Sequence, residues 1–226
     1  NEKNENLFSL SEEKLLKKEN ICSDFKSDIE KLYKKKIKYE EIFYYIYGIL
    51  NSKEFVDKYQ NNLNKELPRI PYVKRYDDFL KFSKIGKNLA DLILNFKRNT
   101  ITECKVNIDE NQKMDLIELY RVNKMKHPII NGKKDLSKII YNQYITVSDI
   151  PLSSYNFKIN EKSLIHWIID RQKISYDDES GIKDDANDYA NETMKNPAYP
   201  LELLQKVITV SLETQKLIKS LPKLDI

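Results

Sequence analysis

Apolar residues recur at helical spacing from residue 23 onward. Phe25, Ile29, Leu32 and Tyr33 share one face, and the run Lys34-Lys35-Lys36 closes that element. Residues 40–51 carry Ile42, Phe43, Tyr45, Ile46, Tyr47, Ile49 and Leu50, an apolar girth that predicts a centrally buried helix. Ser52 is placed to cap the next helix, marked by Phe55, Val56 and Tyr59. In Leu67-Pro68-Arg69-Ile70-Pro71-Tyr72 the two prolines forbid a continuous helix and favour extended chain. Asp77-Asp78 then opens a long helix with the stripe Phe79, Phe82, Ile85, Leu89, Leu92, Ile93 and Phe96. Residues 1–22 are polar, rich in lysine and glutamate, and read as a linker or frayed helix.

The chain changes character after Asn99. Residues 100–120, with Ile101, Val106, Ile108, Ile117 and Leu119, read as strands and turns. Asn131-Gly132 stands between residues 124–130 and 138–147, a hairpin signal, and residues 142–147 alternate as a half-buried strand does. Residues 163–170 predict a compact helix around Ile165, Trp167, Ile168 and Ile169. Residues 177–188 are acidic and poor in apolar side chains, as a surface loop would be. Residues 200–220 predict a last helix through Leu203, Leu204, Val207, Ile208, Leu212 and Leu217, stopped by Pro222. The order predicts an α+β fold: an N-terminal helical part, a central β-strand and hairpin region, and C-terminal helices. The corresponding units are a linker at 1–22, a helical subdomain at 23–99, and a β-rich region closed by helices at 100–226.

A chain of 226 residues can bury a sizeable core, and an aromatic fraction of 11% with 15 Tyr excludes general disorder. The net charge of +4 permits a nucleic-acid partner without arguing for one. Lysine so outnumbers arginine, present as Arg69, Arg75, Arg98, Arg121 and Arg171, that lysine runs alone carry little weight. Cys22 and Cys104 cannot make a disulfide framework or a cysteine-rich zinc site, and a reducing, cytoplasmic setting is expected. No apolar run approaches the ~20 residues of a membrane span, and no signal-peptide pattern opens the chain. A start at Asn1 without methionine is what a segment of a longer polypeptide would show.

Several short patterns suggest chemistry. Glu103-Cys104-Lys105, in a β-prone run, fits the carboxylate and lysine of a PD-(D/E)xK nuclease, but the nearest upstream acid, Asp91, falls inside a helix. Asn196-Pro197-Ala198-Tyr199 is similar to the Asn-Pro-Pro-Tyr loop of amino-directed DNA methyltransferases. The isolated glycines at 48, 86, 132 and 181 form no methyl-donor loop, however, so it reads as a helix-initiating turn. Asp177-Asp178-Glu179-Ser180-Gly181 resembles a calcium loop but would put Tyr176 where the first acidic ligand belongs. His127 and His166 are far apart in sequence, and His166, beside Trp167 in an apolar helix, reads as packed rather than catalytic. Arg121, Lys124, Lys126, His127, Lys133, Lys134 and Lys138 gather around the Asn131-Gly132 turn, followed by Asn142, Gln143 and Tyr144. Such a ribbon can enter a DNA groove, where Arg and Lys read guanine and Asn and Gln read adenine; the bland alternative is a solvated lysine-rich hairpin.

Longer blocks add to this. They are Ile42-Phe43-Tyr44-Tyr45-Ile46-Tyr47-Gly48-Ile49-Leu50-Asn51-Ser52 with Leu67-Pro68-Arg69-Ile70-Pro71, and Leu89-Ala90-Asp91-Leu92 after Gly86. Further on stand Tyr120-Arg121-Val122-Asn123, Ile139-Ile140-Tyr141-Asn142 and Ile150-Pro151. Trp167-Ile168-Ile169-Asp170-Arg171, Ser180-Gly181-Ile182, Asp184, Asn187-Asp188 and Pro197 complete the set. In this order, over roughly residues 40–222, the chain resembles the C-terminal target-recognition domain of type ISP restriction–modification enzymes. The resemblance implies a non-catalytic part of a polypeptide that also carries a nuclease, a DNA-translocating ATPase (helicase) and an adenine-directed DNA methyltransferase.

Its partners would be double-stranded DNA and the methyltransferase domain of the same polypeptide, with no membrane. It would hold no metal and no cofactor of its own, S-adenosylmethionine, ATP and Mg2+ belonging to the parent enzyme. From the residues themselves, Arg121, Lys126, Asn142 and Gln143 are the candidates for base contact, and Lys124, Lys133 and Lys134 for phosphate. Trp167, Asp170 and Arg171 are expected to anchor the strands to the second helical part, and the block at 42–50 to serve the core and methyltransferase docking. The competing readings are a protein-docking module packing on the methyltransferase and a metal-dependent nuclease using Glu103 and Lys105.

Overall fold

The computed structural model describes residues 20–98, 104–109 and 114–226. The first four helices are α1 (Ser23–Tyr33), α2 (Tyr39–Leu50), α3 (Lys53–Leu63) and α4 (Tyr76–Leu94). Ile29, Ile42, Tyr45, Phe55, Phe79 and Phe82 meet in one buried core between them. α2 is less enclosed than its composition predicts: Ile42, Tyr45, Gly48 and Ile49 are buried, but Phe43 is 55% exposed. Ser52 occupies the position before α3 in extended conformation, yet its side chain makes no capping bond.

The spine of this unit is a close crossing of α2 and α4. A Cβ added at Gly86 would stand 2.0 Å from the Tyr44 carbonyl oxygen, and one at Gly48 2.4 Å from that of Phe82. Only glycine permits backbones to approach so nearly. The proline-bearing stretch after α3 runs extended, as expected, and tyrosines tie it down. Tyr45 Oη donates to the Pro71 carbonyl (2.6 Å) and accepts from the Val73 amide (3.2 Å), while Tyr33 Oη donates to the Val73 carbonyl (2.5 Å).

The second unit is built from short antiparallel pieces. β1 (Lys105–Ile108), β4 (Ile139–Ile140) and β5 (Ile145–Ser148) form a sheet in the order β1-β5-β4, with Ile108 opposite Ile145 and Ile139 opposite Val147. β5 alternates as predicted, Ile145 and Val147 inward. Ile117 and Leu119, expected in strands, lie instead on a single helical turn, α5 (Leu116–Leu119). β2 (Ile129–Ile130) and β3 (Lys133–Lys134) form the anticipated hairpin; Asn131 (φ 51°) and Gly132 (φ 74°) both take the left-handed conformation that a type I′ turn needs. The arms are shorter than the sequence suggested, because the second arm leaves to join β5.

β6 (Lys158–Ile159) and β7 (Lys162–Ser163) lead into α6 (Leu164–Arg171), capped by Ser163, whose Oγ accepts from the His166 amide. β8 (Ile174–Tyr176) and β9 (Lys183–Asp185) make another hairpin, followed by the short α7 (Ala186–Asp188). The expected surface loop at 177–188 is thus confined to the turn of that hairpin, and Asp185 and Asn187 are buried. The Asn196 turn does start the last helix, as read: Asn196 Oδ1 accepts from the Ala198 amide, its Nδ2 donates to Glu202, and Pro200 sits in the first turn of α8 (Tyr199–Lys219).

α8 joins the two units. Leu201, Leu204 and Ile208 pack with Val122, Tyr141 and Ile165 in the second core, and the helix also lies against α4. Beyond it the chain returns to the first unit, where the Leu224 amide donates to Glu54 and the Lys74 amide to the Asp225 carbonyl. Among the described residues no helix is long and apolar enough to cross a membrane.

Gly86→Ala should lower the unfolding free energy by roughly 2 kcal/mol through backbone overpacking, even though alanine alone favours helix by ~1 kcal/mol. Denaturant unfolding would show a lower midpoint at unchanged slope; an unchanged midpoint would mean that α2 and α4 separate freely.

Candidate nucleic-acid interface

From Leu119 to Val122 the backbone beyond α5 meets no strand or helix, and side chains supply what is missing. Asn142 Nδ2 donates to the carbonyls of Leu119 (2.8 Å) and Arg121 (3.0 Å), and its Oδ1 accepts from the amides of Tyr144 and Ile145 (both 2.8 Å). Tyr141 Oη donates to the Tyr120 carbonyl (2.6 Å), and burial pushes that phenol's pKa well up. Asn187 grips the other side, accepting from the Val122 amide and donating to the Val122 carbonyl, each at 2.9 Å.

The held segment forms one wall of an open cleft of about 320 Å³, lined by Glu118, Arg121, Lys124, Lys126, Gln143 and Tyr144. Lys126 exchanges two backbone hydrogen bonds with Ile140, which continues the β2–β3 ribbon down to the cleft floor. Arg121 is oriented from behind by Asp185, at 3.7 Å, whose side chain is only 1% exposed and also meets Lys183 at 2.7 Å. Burial alone would raise the Asp185 carboxyl, but the Lys183 ammonium and the side-chain and backbone N–H groups of Asn187 outweigh it and hold the pKa below the ordinary value.

Lys133 and Lys134 are outside this cleft, exposed on β3 and directly across from Ile130 and Ile129, themselves 53% and 71% exposed. Beneath the hairpin, His127 is buried, its Nδ1–H donating to the Lys138 carbonyl (2.8 Å), and its ring packs with those of Tyr155 and His166. His166 is bonded to Ser163 Oγ at 2.7 Å, as a packed histidine would be.

The family model of the Type ISP C-terminal specificity domain matches residues 1–203. The chain belongs to that family. Among solved structures, the specificity domain resembles a nuclease-deletion mutant of the Type ISP restriction–modification enzyme LlaGI in complex with a DNA substrate mimic, with 41% identity and a TM-score of 0.72, over 84% of this chain and 14% of that one. It is also similar to the ATP-dependent Type ISP enzyme LlaBIII bound to DNA, with 39% identity and a TM-score of 0.72, over 84% of this chain and 12% of that one. A DrdV–DNA complex shares the fold at 24% identity and a TM-score of 0.73, over 90% of this chain and 20% of that one. The specificity domain thus spans a small fraction of the length of these relatives. No curated protein matches it.

Within the specificity domain, five of the residues selected from sequence, Arg121, Lys124, Lys126, Asn142 and Gln143, border the same cleft. Asn142 takes a different part from the one assigned to it. Both its donors and both its acceptor positions are committed to the backbone, so nothing is left for a base edge. Its neighbour Gln143, at the tip of the same turn, is exposed. Asp185 and Asn187 fall in the stretch read as an acidic loop, Asn187 entering only through the resemblance; the available signal for their role was the Asp-x-Asn spacing, which here makes an Asx turn, the Asn187 amide donating to Asp185 Oδ1. Glu103 lies outside the described residues, and Lys105 is 2.9 Å from Asp149. Among the described residues no group of three His, Cys, Asp or Glu could hold a metal ion. The proposed anchor is partly visible: Trp167 Nε1 donates to the Ile159 carbonyl (3.1 Å), fastening the β6–β7 turn to α6, and Lys162 pairs with Asp170.

Asn142→Ala should cost roughly 3 kcal/mol, because four backbone groups lose their partner at once, and protection of the Ile145 amide from hydrogen exchange should fall with it. Because folding lowers the Asp185 pKa, its stabilisation is complete above the ordinary carboxylate value and is lost as pH falls through the lower folded value. Asp185→Asn should therefore flatten the acid limb of stability against pH; an unchanged limb would show that other carboxylates govern it.

Proposed function

We propose that this specificity domain binds double-stranded DNA and selects the sequence on which other parts of its polypeptide methylate adenine, translocate and cut. The observation that carries the reading is the convergence of Arg121, Lys124, Lys126 and Gln143 on one open cleft. The DNA complexes of the LlaGI and LlaBIII relatives support it. Arg121, paired with Asp185, and Gln143, on a turn whose backbone is fixed by Asn142, stand where they suit direct readout of guanine and adenine edges. Lys126 completes the base-facing set, and Lys124, Lys133 and Lys134 take phosphates, giving affinity and orientation.

On this reading S-adenosylmethionine, ATP and Mg2+ are used elsewhere in the parent enzyme. The half-exposed Phe43 on α2, packed edge-on against Tyr44, favours that helix as the contact with the methyltransferase part.

Selection of bound sequences from random duplex DNA at low and moderate salt tests the proposal. A short asymmetric site should emerge, and Gln143→Ala should relax one position of it by ~1–3 kcal/mol of discrimination. Lys133→Gln and Lys134→Gln should weaken all sequences alike. Failure to bind even at low salt would favour a docking module with incidental basic charge.

A further inference from the structure

Lys124 and Lys173 are partners in an antiparallel bridge between the held segment and the start of β8. The Ile174 amide donates to the Asn123 carbonyl at 3.0 Å, which makes the lysines a non-hydrogen-bonded pair. In such a pair the Cα atoms are ~4.5 Å apart and both side chains leave on the same face. Like charges placed directly opposite each other in this way repel. Among the described residues, no carboxylate lies within ion-pair distance of either ammonium.

The nearest acids relieve this only in part: Asp170 borders the same cleft as Lys173 and feels its charge, but is paired with Lys162. Asp185 is committed to Lys183 and Arg121. Asp184 borders the same area but forms no ion pair among the described residues. The two lysines stand at the junction of two clefts. Lys124 lines the cleft that holds Arg121 and Gln143, while Lys173 lines a second, of about 440 Å³, with Lys162, Trp167, Asp170, Arg171 and Asp184.

Arg171 has a structural reason to be where it is: it lies over the Trp167 ring, 5.8 Å from its centroid, in the last turn of α6. Lys173 has none. Two lysines at directly opposed backbone positions, on a face already read as contacting DNA, are placed to share an anion.

We infer that Lys124 and Lys173 clamp one backbone phosphate of the bound duplex between them, and that Arg171 meets the phosphate run next to it. The DNA track thereby continues past the readout cleft onto the β8–β9 hairpin and the end of α6. This rests on the proposed DNA-binding function and extends it to residues that take no part in base reading.

The test uses the 226-residue chain and random-sequence duplex DNA, with affinity measured across a salt series. Lys173→Gln and Arg171→Gln should each reduce the slope of log K against log salt by about 0.9, and the pair by about twice that, with the preferred sequence unchanged. Lys65→Gln, on the helical unit, should leave the slope alone. Free of DNA, Lys173→Gln should unfold at a higher temperature than the original in low salt, the gain vanishing in high salt. That gain paired with weaker binding is what a phosphate clamp produces and a merely structural lysine does not. If Lys124→Gln reduces the slope while Lys173→Gln does not, the clamp is overturned and DNA binding by the readout cleft stands. If Lys173→Gln weakens binding only while lowering stability, the clamp is also overturned. If the unaltered chain shows no binding at low salt, the DNA-binding reading falls and takes the clamp with it.

Discussion

Backbone amides and carbonyls at residues 119–122 are held where no β-ladder reaches them, and a buried backbone group must be paired. Asn142 and Asn187, with the Tyr141 hydroxyl, meet that requirement from opposite sides. The rest of the cleft depends on it. With the backbone fixed, Arg121 emerges at one place, within reach of the buried Asp185. The same Asn142 amide that holds the segment also closes the turn that presents Gln143. One amide therefore registers two walls of the cleft against each other.

The helical unit does a different task by different means. Its α2–α4 crossing is brought close by glycine contact at Gly48 and Gly86, and Tyr45 packs beside it against Phe79 and Phe82. α8 ties this crossing to the strands by packing on both units, and the returning C-terminal residues close the seam. The short strand pairs, several only two residues long, gain their stability from this support rather than from their own ladders.

Much of this was legible along the chain. Helical periodicity located α1 through α4 and α8, and Asn131-Gly132 marked its turn because few residues other than asparagine and glycine take a left-handed conformation cheaply. Of the basic and amide residues gathered by sequence proximity, Arg121, Lys124, Lys126, Asn142 and Gln143 border a common cleft, while Lys133 and Lys134 stand outside it. What failed was the division of roles between Asn142 and Gln143, two adjacent amides of nearly equal chemistry. Nothing local distinguishes the one that is half-buried and saturated from the one that is exposed. The acidic stretch misled in the same way: its composition is that of a solvated loop, yet Asp185 and Asn187 point inward.

Type ISP membership follows from the residues themselves, as do the α+β order and the placing of charge and amides around residues 121–143. These rest on patterns set by neighbours a few positions apart. The tertiary structure alone decided that Asn142 is a brace, that Asp185 orients Arg121, and that Lys173 faces Lys124. A hydrogen bond or a charge repulsion depends on distance in space, and these partners stand 21, 64 and 49 residues apart along the chain.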